Sequence, residues 1–183
     1  TFPTPIATVV REDCNVYYYA NKDMPDSFRK MGQAVVKSFG IKKRCFHIEF
    51  FCLNVDKEGL GKKGDIVALE VNMRCPGGNT PDLIALAWDR NYYKIYAEVM
   101  MNNKSNSFNP DEQKFISIAV SRKYHFNYVH SEEEILSTYK DQIKMIGDYP
   151  DSFARAMGKH FYYAVFPNLK EGLKFQEFIQ KTE

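Results

Sequence analysis

The chain has 183 residues, 44% of them hydrophobic and 26% charged, with a net charge of +2. That length fits one domain, or a domain with a small subdomain, and a chain of this size buries about 70% of its unfolded surface. The near balance of charge removes any global case for nucleic acid or an anionic membrane, and no run of about 18 apolar residues is present to cross a bilayer. In chain order, Ala7–Val10 and Val16–Ala20 read as strands around the polar turn 11–15. A helix starts near Pro25 with Asp26 in its first turn. Phe28, Met31, Val35 and Phe39 recur along it at helical spacing, and Gly40 ends it. Two strands follow, Cys45 to about Asn54 and Ile66–Arg74. Their connection, Val55–Asp65, contains Gly59, Gly61 and Gly64. Pro81 to about Met101 is helical with a bend near residues 89–91. The polar segment 102–110 is the best boundary. Beyond it, Lys114–Arg122 reads as a strand, and Ser131 with Glu134 as a capping box. Ile143–Ile146 and His160–Phe166 are further strands, and Lys170–Lys181 a terminal helix.

The expected fold is therefore α+β. Residues 1–101 form a mainly antiparallel sheet with flanking helices, and residues 102–183 a small C-terminal α/β subdomain. The sheet carries the site on one face and helices on the other. Cys14, Cys45, Cys52 and Cys75 lack close-pair spacing for zinc or redox work and read as reduced thiols of a cytoplasmic protein. Cys45 and Cys52 fall on opposite faces of one strand and cannot bridge each other.

The two central strands carry the chemistry. In the first, Phe46, Ile48, Phe50 and Cys52 share one face, and Cys45, His47, Glu49 and Phe51 the other. In the second, Val67, Leu69, Val71 and Met73 share a face, and Ala68, Glu70, Asn72 and Arg74 the other. If the apolar faces coincide, Glu49 lies opposite Glu70 or Asn72, with Cβ atoms roughly 5 Å apart. Like charges so placed are unfavourable unless one is protonated, Arg74 intervenes, or a divalent cation sits between them. Two carboxylates and an amide oxygen are hard ligands, suited to magnesium rather than zinc. The following turn, Cys75-Pro76-Gly77-Gly78-Asn79-Thr80-Pro81-Asp82, leads into a helix. Thr80 would cap it and Pro81 start it. Free amides there, with Gly77 and Gly78 permitting close approach, can bind an anion. His47 reads as a neutral, hydrogen-bonded strand histidine, and the acidic run 132–134 as a solvated first turn.

His47-Ile48-Glu49-Phe50-Phe51, followed by Leu69-Glu70-Val71-Asn72-Met73-Arg74-Cys75-Pro76-Gly77-Gly78, resembles the C-terminal catalytic half of the ATP-grasp superfamily. That superfamily includes biotin carboxylase, the large chain of carbamoyl-phosphate synthase and D-alanine–D-alanine ligase. The resemblance covers residues from about Asp26 to Met101. It implies that Glu49, Glu70 and Asn72 hold magnesium (manganese as a substitute) against the phosphates of ATP. It implies that Arg74 faces the transferred phosphate or the activated carboxylate, and that Phe51 lines the adenine pocket. It further implies an ATP-dependent ligase that makes an acyl phosphate from a small carboxylate or bicarbonate, for attack by an amine. The N-terminal half of such an enzyme, with its phosphate-binding lysines and glycine-rich loop, is expected to belong to the same polypeptide, so this stretch alone is expected to be inactive. Two other functions fit the residues: an inactive ATP-grasp-derived binding or regulatory module, and a hydrolase with Glu49 and Glu70 as paired acid and base. The hydrolase leaves Asn72, Arg74 and the Gly-Gly turn without a role.

Overall fold

The computed structural model describes residues 1–22 and 24–183. The chain forms two compact units that interleave in sequence. Unit 1 is Thr1–Lys22, Asp82–Arg90 and Pro110–Glu183, and unit 2 is Asp23–Pro81 and Asn91–Asn109. Unit 1 therefore draws its residues from both sides of position 102.

Unit 1 is built on four strands, β1 (Tyr17–Ala20), β4 (Ile116–Arg122), β5 (Ile143–Asp148) and β6 (His160–Phe166), in the order β1-β4-β6-β5, every neighbouring pair antiparallel. β4 and β6 are central and almost wholly buried, because both faces of the sheet are covered. On one face, Ile118, Val120, Tyr162, Ala164 and Phe166 pack with Ile135 of α5 (Glu132–Tyr139) and with Phe175 and Ile179 of α7 (Leu169–Gln180). Phe175 is 0% exposed, and burying a side chain of that size is worth about 2–3 kcal/mol. On the other face, Tyr18, Ala119, Phe161 and Tyr163 pack with Tyr149 and with Leu83 of α3 (Thr80–Trp88). Tyr18, Ala119 and Tyr163 stand in one cross-strand row. The small Ala119 between two tyrosines lets their hydroxyls meet. Tyr149 joins them, bonding Tyr18 at 3.1 Å and Tyr163 at 2.9 Å. Part of the aromatic richness of the chain is thus core packing, and the buried hydroxyls of Tyr18, Tyr149 and Tyr163 satisfy one another.

Two corrections concern the amino-terminal segment and the sheet. Ala7–Val10, expected as a strand, lies in helix α1 (Ile6–Glu12). Its β-branched residues favour strands locally. The Pro5 carbonyl accepts from the amides of Thr8 and Val9, and Val9 is 0% exposed against the rest of the unit. Burial overrides propensity over so short a stretch. Nor does the four-stranded sheet carry the acidic residues. They sit on β2 (His47–Cys52) and β3 (Ile66–Asn72), which pair only with each other.

Unit 2 combines that hairpin with α2 (Asp26–Ser38) and α4 (Tyr92–Asn102). The expected long helix is two helices, since Asp89 adopts a left-handed conformation with φ 52° after α3. The Asn91 side chain then caps α4 by accepting from the Lys94 amide at 2.9 Å. α2 lies against the hairpin through Phe28, whose ring meets Phe50 edge-to-face at 6.2 Å. The long connection 53–65 is a smaller hairpin in itself. The Leu53 amide donates to Asp65 at 2.9 Å and Lys57 pairs with Gly61. The expected capping box is present on α5, where Ser131 accepts from the Glu134 amide at 3.2 Å and Glu134 accepts from the Ser131 amide at 2.8 Å.

Candidate metal and phosphate site

β2 and β3 run antiparallel with His47 opposite Asn72, Ile48 opposite Val71 and Glu49 opposite Glu70. This is one of the two registers expected from the apolar pattern. It puts His47, Glu49, Glu70 and Asn72 in a four-cornered patch on one face, while Phe50 turns to α2 on the other. Each carboxylate is tied along its own strand. His47 Nε2 lies 3.3 Å from Glu49 Oε1, and Asn72 Nδ2 donates to Glu70 Oε1. His47 Nδ1 is buried and without a hydrogen-bond partner. Both Glu side chains are engaged through Oε1, which leaves the Oε2 of each as a potential ligand. Asn72, having donated through nitrogen, keeps its acceptor oxygen.

Immediately after Glu49 the register shifts. Phe50 pairs with Ala68, so Leu69 is the extra residue of a β-bulge on β3. The bulge changes the expected faces. Ile66 and Ala68 now share the Phe50 face, and Val67, expected on the apolar side, stands opposite Phe51 on the Glu49 side. Leu69, expected in the core, is 52% exposed. Bulges re-aim side chains in this way and raise local twist.

The remaining candidates lie apart from the patch. β3 ends at Asn72, so Arg74 is off the ladder, and its Nη1 donates to the Cys75 carbonyl at 2.9 Å. Among the described residues no ion pair of Arg74 with a carboxylate, one of the expected ways to relieve repulsion, is formed. Gly77 and Gly78 form the turn into α3, whose first amide, that of Thr80, donates to the Gly77 carbonyl at 3.3 Å. Gly78 has φ 57°, a conformation that favours glycine. A Cβ at Gly77 or Gly78 would meet no heavy atom within 4 Å, so the backbone there is open to approach. Phe51 is exposed, two residues along the strand from Glu49.

Among the described residues no group of three or more His, Cys, Asp or Glu converges to hold a metal. What the patch offers is two carboxylates and one amide. That donor set fits a hard divalent cation that keeps several of its waters and takes its remaining ligands from phosphate. The opposed charges on Glu49 and Glu70 would then be an asset, since the cation neutralises both. Sequence reasoning missed the Leu69 bulge and the Glu70–Asn72 bond.

No protein-family model and no curated protein matches the sequence. Several solved structures do resemble this one. The crystal structure of L-amino acid ligase from Bacillus licheniformis aligns with a TM-score of 0.61 at 15% identity, over 88% of this chain and 41% of that one. Phosphoribosylglycinamide synthetase from Anaerococcus prevotii aligns with a TM-score of 0.56 at 14% identity, over 89% of this chain and 43% of that one. N5-carboxyaminoimidazole ribonucleotide synthetase from Thermotoga maritima aligns with a TM-score of 0.56 at 16% identity, over 92% of this chain and 47% of that one. The chain thus spans less than half the length of each, and the likeness is one of fold.

Proposed function

We propose that this chain, which has the ATP-grasp fold shared by those three enzymes, carries the metal and phosphate half of an ATP-dependent carboxylate ligase. The observation that supports this most is the direct opposition of Glu49 and Glu70, with Asn72 bonded to Glu70, on a hairpin that runs into the Gly77-Gly78 turn. In this reading Glu49, Glu70 and Asn72 would hold magnesium, which supplies charge neutralisation at the phosphates when bound. A carboxylate oxygen of the substrate attacks the γ-phosphorus, the bond to the β–γ bridging oxygen breaks, and ADP leaves. An amine then attacks the acyl carbon and phosphate departs. Arg74, freed from the Cys75 carbonyl, would place its guanidinium against the transferred group. The open backbone at Gly77 and Gly78 would let amides approach a phosphate oxygen, and Phe51 would offer a flat face to the adenine. The Glu-x-Asn-x-Arg run with Pro-Gly-Gly supports a carbamoyl-phosphate-synthase-like branch, with bicarbonate as a candidate carboxylate. The four free cysteines support a reducing, cytoplasmic setting. No described helix is long and apolar enough to cross a membrane.

By itself the chain would bind magnesium weakly and not turn over ATP at a useful rate. It contributes acidic ligands and one Arg, while the opposing lysines and lid belong to the other half that the resemblance implies. Manganese(II) titrated with ATP into isotope-labelled chain tests the site. Paramagnetic broadening should appear first at the amides of Glu49, Glu70, Asn72 and the turn 75–79, and Glu70→Gln should suppress it. Broadening first at other acidic positions, such as Asp148, with this patch untouched, would overturn the assignment.

A further inference from the structure

We propose that the outer edge of β5 is a self-association surface, on which a second copy of this chain seats its own β5 antiparallel, about a two-fold axis through Ile146. β5 ends the sheet order β1-β4-β6-β5, and among the described residues no segment pairs with its outer side. The opposite edge of the sheet is met otherwise, since the Tyr19 amide of β1 donates to the Thr1 carbonyl at 3.0 Å. Which backbone groups of β5 face outward follows from its bonds to β6. The Tyr149 amide donates to the Lys159 carbonyl at 2.7 Å, and the Val165 amide to the Gln142 carbonyl at 3.0 Å. Met145 stands opposite Tyr163 and Gly147 opposite Phe161. Backbone groups alternate sides along a strand. Met145 and Gly147 therefore bond inward to β6, and Ile146 and Asp148 present their N–H and C=O to the outside. An unpaired row of that kind is a template for another strand.

The side chains select the partner. Lys144, Ile146 and Asp148 are the exposed residues of β5, and Ile146 is 38% exposed. When two β5 edges pair antiparallel, an outward-bonding residue must face an outward-bonding residue. That admits two-fold axes through Met145, Ile146 or Gly147, and none that falls between residues. The axis through Met145 sets Ile146 against Lys144 of the other copy, and the axis through Gly147 sets it against Asp148. Of the three, only the axis through Ile146 joins the two isoleucines and brings Lys144 of each copy opposite Asp148 of the other. A lysine on an edge ordinarily repels an incoming strand. Here pairing of the strand with itself makes that lysine complementary. Both charges keep free capacity. His160 Nδ1 bonds Asp148 Oδ1 at 2.7 Å, which leaves Oδ2, and Lys144 Nζ donates to the Asp141 carbonyl at 2.7 Å, which leaves two N–H groups. The register shift between Ile143 and Met145 confines the regular edge to Met145–Asp148, with Lys144 on its flank. A pairing of two six-residue edges is small beside the ~1,200–2,000 Å² of a stable interface. The dimer is therefore weak, and salt weakens it further. It uses no residue of the carboxylate patch, so it and the ligase reading can fail separately.

The test is made on the wild-type chain. Sedimentation over a concentration series at low salt should show a monomer–dimer equilibrium, which about 1 M salt shifts to monomer. Amide exchange over the same series should slow with concentration at Ile146 and Asp148. It should stay constant at Met145 and Gly147, which already bond to β6. Zero-length carbodiimide coupling of mixed isotope-labelled and unlabelled chain should give a Lys144–Asp148 linked peptide of mixed label. Within one chain those residues lie roughly 13 Å apart along an extended strand, beyond the reach of such a link. Lys144→Glu should weaken the association about tenfold or more, and the wild-type exchange pattern and cross-link carry the test even if that variant folds poorly. A chain that stays monomeric throughout the series would overturn the proposal. So would a dimer that cross-links elsewhere and leaves exchange at Ile146 and Asp148 unchanged.

Discussion

The opposed carboxylates make a prediction whose sign changes with conditions. We consider a double-mutant cycle of Glu49→Gln and Glu70→Gln. Each single substitution also alters a local bond, His47 to Glu49 or Asn72 to Glu70. The cycle subtracts those changes and leaves the coupling between the two positions. The residues are direct cross-strand partners. Two unit charges about 5 Å apart in a water-like dielectric repel by about 0.8 kcal/mol. The Glu49 side chain is 43% exposed, which argues for that weaker, solvent-screened limit. At about 0.01 M salt the screening length is roughly 30 Å and the full repulsion acts. At 1 M it is about 3 Å, and roughly a fifth remains. Without divalent cations, the wild-type pair should therefore be unfavourable by about 0.8 kcal/mol at low salt and close to neutral at high salt. With magnesium at ten times its dissociation constant, the folded hairpin gains about 1.4 kcal/mol, and the coupling becomes favourable. Native-state amide exchange at Leu53, whose amide donates to Asp65 across the hairpin at 2.9 Å, reads the opening free energy of this element. A coupling of zero or a favourable one at low salt without divalent cation would refute the argument, because the charges would then not face each other.

Other expectations follow from single positions. Gly78→Ala should cost about 1 kcal/mol from its left-handed backbone, φ 57°, whereas Gly77→Ala meets open space and should leave the denaturation midpoint nearly unchanged. Phe175→Ala, at a 0% exposed position between β6 and α5, should destabilise unit 1 by about 3–5 kcal/mol in denaturant titration. Asp13 is bonded by Lys123 at 2.7 Å and by His125 at 2.8 Å, and these contacts hold its carboxyl below the usual range. A depressed folded-state value means the contribution is complete above the unfolded value of about 3.9 and lost as pH falls through the folded one. Asp13→Asn should lower stability at neutral pH and flatten its decline below about pH 4, read from thermal midpoints across the acid range.

Local pattern carried much of this structure, and its limits are physical. The hairpin register was legible because period-two alternation on two neighbouring strands admits few pairings that keep apolar faces together. The capping box at Ser131 was legible because it is a bond between residues three apart. The Leu69 bulge was not: nothing local distinguishes a leucine that will be squeezed out of a ladder from one that stays in it. Arg74 was placed on the Glu face by extending alternation two residues too far, past the bend that ends β3. Ala7–Val10 was misassigned because its fate depends on packing against residues more than a hundred positions away. The division of the chain into units is of the same kind. It is set by which strands pair at long range, and composition gives no sign of that.

The interleaving also bears on the order in which the chain can fold as it is made. Unit 2 contains no residue beyond Asn109. Its hairpin, both helices and the Glu98 contacts to Ser105 and Ser107 are all available once that point leaves the ribosome. Unit 1 must wait. β1 precedes unit 2 in the chain, but its partner β4 starts at Ile116, and the Gln180 side chain, later still, closes over the Val16 and Ser121 carbonyls. Until β4 has been made, the three-tyrosine strand Tyr17–Ala20 is thus an unpaired edge, the kind of surface that invites mispairing. The segment that carries the carboxylates can form first, and the sheet around which Tyr18, Tyr162, Tyr163 and Phe175 are buried forms after it.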